Sequence, residues 1–300
     1  MNVIDTCEDK NIKFYLEYLK YERRVSDNTV ESYGENLKKL TQNINKDILS
    51  LTTSDIRMIL NNMETSPKTK AHYLSVLNSF YNYMIFNGII KNNPCSGIRL
   101  PKLEKKLPNY LTIEEIDKLL DIKLIKPIDY RNKAMLEVLF ATGTRISELI
   151  NLTLNQIDYN ECIIRVLGKG KKDRIIPIGN TAMEYLKLYI NEYRGFILKT
   201  KNSEYVFINK NGTKISRQGF FKILKKLVKE AGIEKDVSPH TLRHSFATYL
   251  LNNGADLRII QELLGHENLV TTEIYSHLSN KKIEEDYQHH PRAHKEKGID

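Results

Sequence analysis

Through the first 90 or so residues, apolar side chains recur at the interval that one face of a helix collects. One run carries Phe14, Tyr15, Leu16 and Leu19. A polar cluster at Ser26, Asp27 and Asn28 caps a second, in which Val30, Tyr33, Leu37 and Leu40 repeat. A third opens at Thr53 or Ser54 and carries Ile56, Ile59 and Leu60. A fourth carries Tyr73, Leu74, Leu77, Phe80, Tyr81 and Met84 and stops at Asn87-Gly88. Four amphipathic segments with short connections predict a small helical bundle. Lys13, Lys20, Arg23, Arg24, Lys38, Lys39, Lys68 and Lys70 decorate it.

The pattern breaks at NNPCSGIRLPKLEKKLPNYL, residues 92–111, where Pro94, Pro101 and Pro108 and several cations predict a semi-extended linker. Beyond it, Thr112 and Glu115 form a T-x-x-E capping box. A helix is expected from about Asp129 to Ala141, then a Thr-Gly-Thr interruption and a new helical turn near Arg145. Residues 157–178 change to β character: Ile163, Ile164, Val166 and Leu167, a basic GKGKKD tip, then Ile175, Ile176 and Ile178. The stretch EYVFINKNGTKIS predicts a further short strand and a turn at Asn211-Gly212. Ser216 caps a helix ending at Gly232, and from Ser238 onward the pattern is helical, broken at Gly254 and Gly265.

Three hundred residues exceed the usual single domain, which favours two. The net charge of +9 is uneven: 13 basic residues face 11 acidic ones up to residue 100, and 33 face 26 beyond it. The polyanion contacts are therefore expected mainly in the second part. Cys7, Cys95 and Cys162 are odd in number and widely separated, which argues against a disulfide framework or a zinc knuckle. The polar N-terminus MNVIDTCEDK lacks a targeting pattern, and no apolar run has the length to cross a bilayer. The expectation is a reduced, cytoplasmic, soluble protein without membrane contact.

The reactive side chains concentrate toward the end. Ser238 and Pro239 mark a helix start, so His240 and Arg243 share a face near its positive end, where a phosphate is favoured. His240 and His244 have the spacing of a zinc pair, but Thr241 stands where a metalloprotease needs its glutamate, and no third ligand follows. His266 follows the helix-ending Gly265, and Tyr275 lies nine residues on in an amphipathic segment. Arg145 emerges far upstream at a helix start, and Glu148, three residues on, stands either to hold it or simply as the first-turn acid of that helix. Lys169, Lys171, Lys172 and Arg174 belong to the hairpin tip, by default a solvated turn. Two guanidiniums, two imidazoles and a phenol suit gripping a phosphodiester and attacking it with a tyrosine.

Taken together, these motifs resemble the tyrosine site-specific recombinases, or phage integrase family. They are Arg145 in TG-x-R-x-SEL, Lys169 in GKGKKDR, His240 and Arg243 in HTLRHSFAT, His266 in LLGH and Tyr275 in TT-x-IYSH. The compact size and the ending QHHPRA, Gln288 to Ala293, are similar to the Xer subgroup, particularly its XerD-like branch. The resemblance implies a mainly α fold with a small β-sheet (α+β). A four-helix, SAM-like core-binding domain would span residues 1–92, a linker 93–108 and a mixed α/β catalytic domain 109–300, the two domains forming a C-shaped clamp on DNA.

By the same resemblance Tyr275 is the nucleophile, leaving a 3′-phosphotyrosyl link and a free 5′-hydroxyl. Arg145, Arg243 and His266 hold the phosphate, Lys169 is the general acid and His240 helps take the tyrosine proton. No metal, ATP or other cofactor is implied. Implied partners are a double-stranded recombination site and a homo- or hetero-tetramer on two such sites, with or without a paralogous recombinase, exchanging strands through a Holliday junction. The FtsK translocase and chromosome dimer resolution at cell division belong to the same picture. The segment after Tyr275, around Ile283, resembles a terminal helix that docks into an adjacent subunit. Integration of a mobile element and topoisomerase-like nicking and resealing remain open alternatives, as does a DNA-binding module without catalysis.

Overall fold

The computed structural model describes residues 3–42, 46–100, 110–167, 173–265, 287 and 290. The chain divides into two units, Met1–Lys105 and Lys106–Asp300, each built on its own apolar core.

The first unit contains the four expected helices. Helix α1 (Lys10–Glu17) is capped by the Asp9 carboxylate, which accepts from the backbone N–H groups of Asn11 and Ile12, and continues into a wide π turn at Tyr18–Glu22. Helix α2 spans Asp27–Gln42. Helix α3 (Thr53–Asn62) opens on a Thr52–Asp55 capping box, and α4 (Pro67–Phe86) carries Pro67 at its first turn after the Ser66 cap. Tyr15, Leu16, Leu37, Ile56, Leu77 and Phe80 interlock in the core. The buried phenols keep partners: Tyr15 Oη donates to Ser79 Oγ at 2.7 Å and Tyr81 Oη to the Ile48 carbonyl at 2.6 Å. Phe14 departs from the expected apolar run and is 52% exposed, resting against the Tyr83 ring. Three consecutive helical residues point in three directions, and the inward stripe is Ile12, Tyr15, Leu16 and Leu19. Of the expected linker, residues 93–100 lie on this unit: Asn93 bonds the Asn78 and Asn82 side chains, and Cys95 is buried. Residues 101–109 lie outside the described residues.

In the second unit α5 (Ile113–Leu120) begins at the Thr112–Glu115 capping box. Helix α6 (Pro127–Thr142) is buried on every side from Lys133 to Thr142, as a helix without a polar face must be. Lys133 and Glu137 inside it form an ion pair at 2.9 Å, and the ammonium also donates to the Leu120 carbonyl. A short helix α7 (Ile146–Asn151) leads to three antiparallel strands in sequence order: β1 (Ile157–Asp158), β2 (Ile163–Leu167) and β3 (Asp173–Pro177). The β2–β3 register pairs Ile164 with Ile176 and Val166 with Arg174. The hairpin tip, with Lys169, Lys171 and Lys172, lies outside the described residues.

Residues 180–198, given no element by the apolar pattern, are helical. Helix α8 (Asn180–Leu188), a π turn at Tyr189–Tyr193 and α9 (Arg194–Leu198) pack along α6 through Ala182, Met183, Leu186 and Tyr189. Among the described residues, the stretch EYVFINKNGTKIS forms isolated bridges, Thr153 with Tyr205 and Ile208 with Lys214, in place of the expected strand. Arginines occupy the ladder's acceptors instead. Arg194 donates to the carbonyls of Ser203, Tyr205 and Val206, and Arg131 to that of Ile208. Helices α10 (Arg217–Glu230), α11 (Pro239–Asn252) and α12 (Leu257–Leu264) follow, capped by Ser216, Ser238 and Asp256. Near the end of the chain, His290 is buried against Phe140 and Phe246, and the buried Tyr287 ring stacks on it.

Candidate active site

The site forms where three chain segments end on one helix terminus. Helix α6 stops at Gly143, whose φ of 57° is left-handed. A Cβ there would lie 2.4 Å from Phe246 Cδ1, so only glycine lets α11 approach this corner. The chain then re-enters helix with Arg145 as the cap of α7. Glu148, one turn on, accepts the Arg145 backbone N–H at 2.8 Å and its Nη1 at 3.0 Å. The carboxylate that completes the capping box thus also fixes the guanidinium.

Arg174, on β3, meets the same carboxylate in a two-pronged contact, Nη1 to Oε1 at 2.9 Å and Nη2 to Oε2 at 2.7 Å. Arg243, from the second turn of α11, donates from Nη1 to the Gly143 carbonyl at 2.6 Å. All three arginines then converge on the C-terminus of α12. Arg174 Nε holds the Leu263 carbonyl at 3.0 Å, Arg243 Nη2 that of Leu264 at 2.5 Å and Arg145 Nη2 that of Gly265 at 2.8 Å. Three successive carbonyls that the helix itself leaves unpaired are each taken by a cation from a different element. Gly265 is in the left-handed conformation, φ 66°, which turns its carbonyl back to Arg145.

The charges do not balance. Three permanent cations share one carboxylate, a formal excess of two, eased only in part by the negative end of α12. Burial, and then repulsion from Arg145 and Arg174 against attraction by Glu148, pulls the Arg243 guanidinium down to about 10, still charged at neutral pH. Burial raises the Glu148 carboxyl, but its bonds from Arg174 and Arg145 outweigh this and leave it below the usual carboxylate range. Exposure is graded: Arg145 keeps 39% of its side chain open, Arg174 only 12% and Glu148 6%. A cationic corner with an open arginine edge is chemically suited to an anion, and a planar fork matches two phosphate oxygens.

Of the residues expected from sequence, Arg145, Glu148 and Arg243 come together here. His240 is exposed on the first turn of α11, three residues before Arg243. Lys169, His266 and Tyr275 lie outside the described residues. Arg174, grouped by sequence with a solvated tip, is the residue missed. Strand parity carried the signal: Ile175 is 40% exposed while Ile176 is buried, so Arg174 shares the inward side with Ile176. His244 is exposed and stands edge-on to the Tyr110 ring. Among the described residues no cluster of histidine, cysteine, aspartate and glutamate is placed to hold a metal ion.

The phage integrase family profile matches residues 109–282, and the phage integrase N-terminal SAM-like domain matches residues 12–88. Tyrosine recombinase XerD of Oceanobacillus iheyensis is 42% identical over 292 residues, 94% of this chain and 98% of that protein. XerD of Listeria monocytogenes is 40% identical over 94% of this chain and 99% of its own length. Among solved structures, XerA recombinase is 30% identical over 94% of this chain and 99% of its own, with a TM-score of 0.50. The Tn1549 transposon integrase in complex with circular intermediate DNA shares the fold at 22% identity and a TM-score of 0.72, over 86% of this chain and 92% of its own. The chain therefore belongs to the phage integrase family, an enzyme class of site-specific tyrosine recombinases with a SAM-like N-terminal domain and a mixed catalytic domain. Within that class it is XerD-like.

Proposed function

We propose that the arginine pocket holds the scissile phosphate of a double-stranded recombination site while Tyr275 attacks it. The observation that carries this reading is the convergence of Arg145, Arg174 and Arg243 on one helix end with a single carboxylate between them. In the step, a bond forms between the Tyr275 phenolic oxygen and phosphorus and the bond to the 5′-oxygen breaks. Lys169 protonates the departing oxygen, and His240 assists removal of the phenol proton, which has an intrinsic pKa of about 10. The product stores the phosphodiester bond as a 3′-phosphotyrosine, so the 5′-hydroxyl of a partner strand can reverse the reaction without ATP. Charge accumulates on the non-bridging oxygens in the transition state. Arg145 and Arg243, with His266, meet it there, and losing one such donor typically costs about 3–4 kcal/mol.

Similarity to XerD proteins supports a cytoplasmic enzyme that resolves chromosome dimers at division. A tetramer on two sites, Holliday junction exchange and control by FtsK extend that picture. The likeness to XerH recombinase, solved bound to its difH substrate, supports the DNA partner. The test is incubation in EDTA with a suicide substrate nicked beside the candidate site. Wild type is expected to form a covalent protein–DNA adduct, and Tyr275→Phe to bind the DNA without forming one. An adduct from that variant overturns the assignment. A junction product from two sites separates recombination from nicking and resealing.

A further inference from the structure

We infer that Arg174 is a positioning residue of the phosphate pocket, the strut that ties strand β3, the Glu148 carboxylate and the α12 terminus into one rigid unit and thereby aims Arg145. The inference rests on the reading of the pocket as the phosphate site. Every nitrogen of the Arg174 guanidinium is engaged: Nε on the Leu263 carbonyl, Nη1 and Nη2 on the two oxygens of Glu148. The same carboxylate holds Arg145 through both its backbone N–H and its Nη1. Glu148 is therefore gripped from two sides, and its orientation toward Arg145 depends on the fork that clamps its far edge.

Exposure separates the roles. Arg145 is 39% open and can touch a ligand, whereas Arg174 is 12% open and faces protein acceptors. The backbone reinforces the strut. A Cβ on Gly265 would come within 3.0 Å of Arg174 Nη1, so the glycine that presents its carbonyl to Arg145 also leaves room for Arg174 beside it. Removing the fork would free the Glu148 carboxylate to rotate and release one of the three carbonyl anchors of α12. Arg145 would keep its charge but lose its aim, and a misplacement of about 1 Å costs on the order of 100-fold in rate.

The experiment compares single-turnover cleavage of two suicide substrates that differ only at the scissile group, one a phosphodiester and the other an uncharged methylphosphonate diester. Arg174→Lys keeps a positive charge and loses the fork. The expected result is a loss of roughly 10- to 100-fold on the phosphodiester and of no more than about 3-fold on the methylphosphonate, because a neutral group draws little on an aligned cation. Each preparation serves as its own control, since partial unfolding lowers both rates alike. Equal losses on the two substrates, or wild-type rates on both, overturn the inference and leave the phosphate reading standing. A wild-type protein that leaves both substrates uncut overturns the phosphate reading itself.

Discussion

At the scale of single residues, Glu148 carries more than its position predicts. Spacing alone pairs it with Arg145, and the structure adds Arg174, so one carboxylate holds two guanidiniums. Its folded carboxyl lies below the ordinary range because the arginine bonds outweigh the burial that would raise it. A depressed folded value means that the group stabilises the fold above its unfolded pKa of about 4.3, and that this contribution is lost as pH falls through the folded value. Urea unfolding of wild type is therefore expected to weaken more steeply in acid than that of Glu148→Gln, which has no such proton to bind. Parallel pH profiles for the two proteins would contradict the role given to the carboxylate. The site was legible in part at this scale. Arg145, Arg243 and Glu148 stood in recognisable local patterns, while Arg174 sat among lysines of a basic tip. Only the strand's inward parity, together with a helix terminus far along the chain, marks it as different.

At the scale of elements, the helices with a one-sided apolar stripe or a strong cap were readable, among them α2, α4, α10 and α11. The misreadings share a cause, which is competition from distant side chains. Arg131 and Arg194 take carbonyls that a strand near Tyr205 would have used for pairing. Helix α8 is specified largely by the surface of α6 that it covers. The end of the chain contributes in the same way. The Tyr287 hydroxyl donates to the Ala141 carbonyl near the end of α6 and accepts the Gly179 N–H, both at 2.8 Å. Burial keeps that phenol protonated by pushing it far above its usual value. Tyr287 thus pins the start of α8 to the corner from which the Gly143 carbonyl meets Arg243. Tyr287→Phe leaves a buried N–H and a buried carbonyl unpaired, and an unfolding titration should show a loss of about 1–3 kcal/mol. An unchanged midpoint would show that these groups find other partners. For the same reason, deleting residues 280–300 removes buried core along with any contact to a neighbouring subunit, so a loss of cleavage in that truncation reports on both.

At the scale of the whole molecule, two units with separate cores were expected from length and from the proline-rich break, and the SAM-like and catalytic matches fall on either side of it. The candidate site is non-local: Arg145 and Arg243 are 98 positions apart in the chain yet hold the adjacent carbonyls of Gly265 and Leu264 at the end of α12. No periodicity in a sequence encodes such a meeting, and the fold supplies it by bringing the ends of α6, β3 and α11 against one helix terminus. Among the described residues, no helix is long and apolar enough to cross a membrane. In the proposed reaction this cationic corner presents a phosphodiester to one phenol. The most direct measurement is to trap the protein–DNA adduct in EDTA, digest both components and map the modified peptide by mass spectrometry. A nucleotide joined through its 3′-phosphate to Tyr275 is expected; a link to any other residue, or through a 5′-phosphate, overturns the assignment.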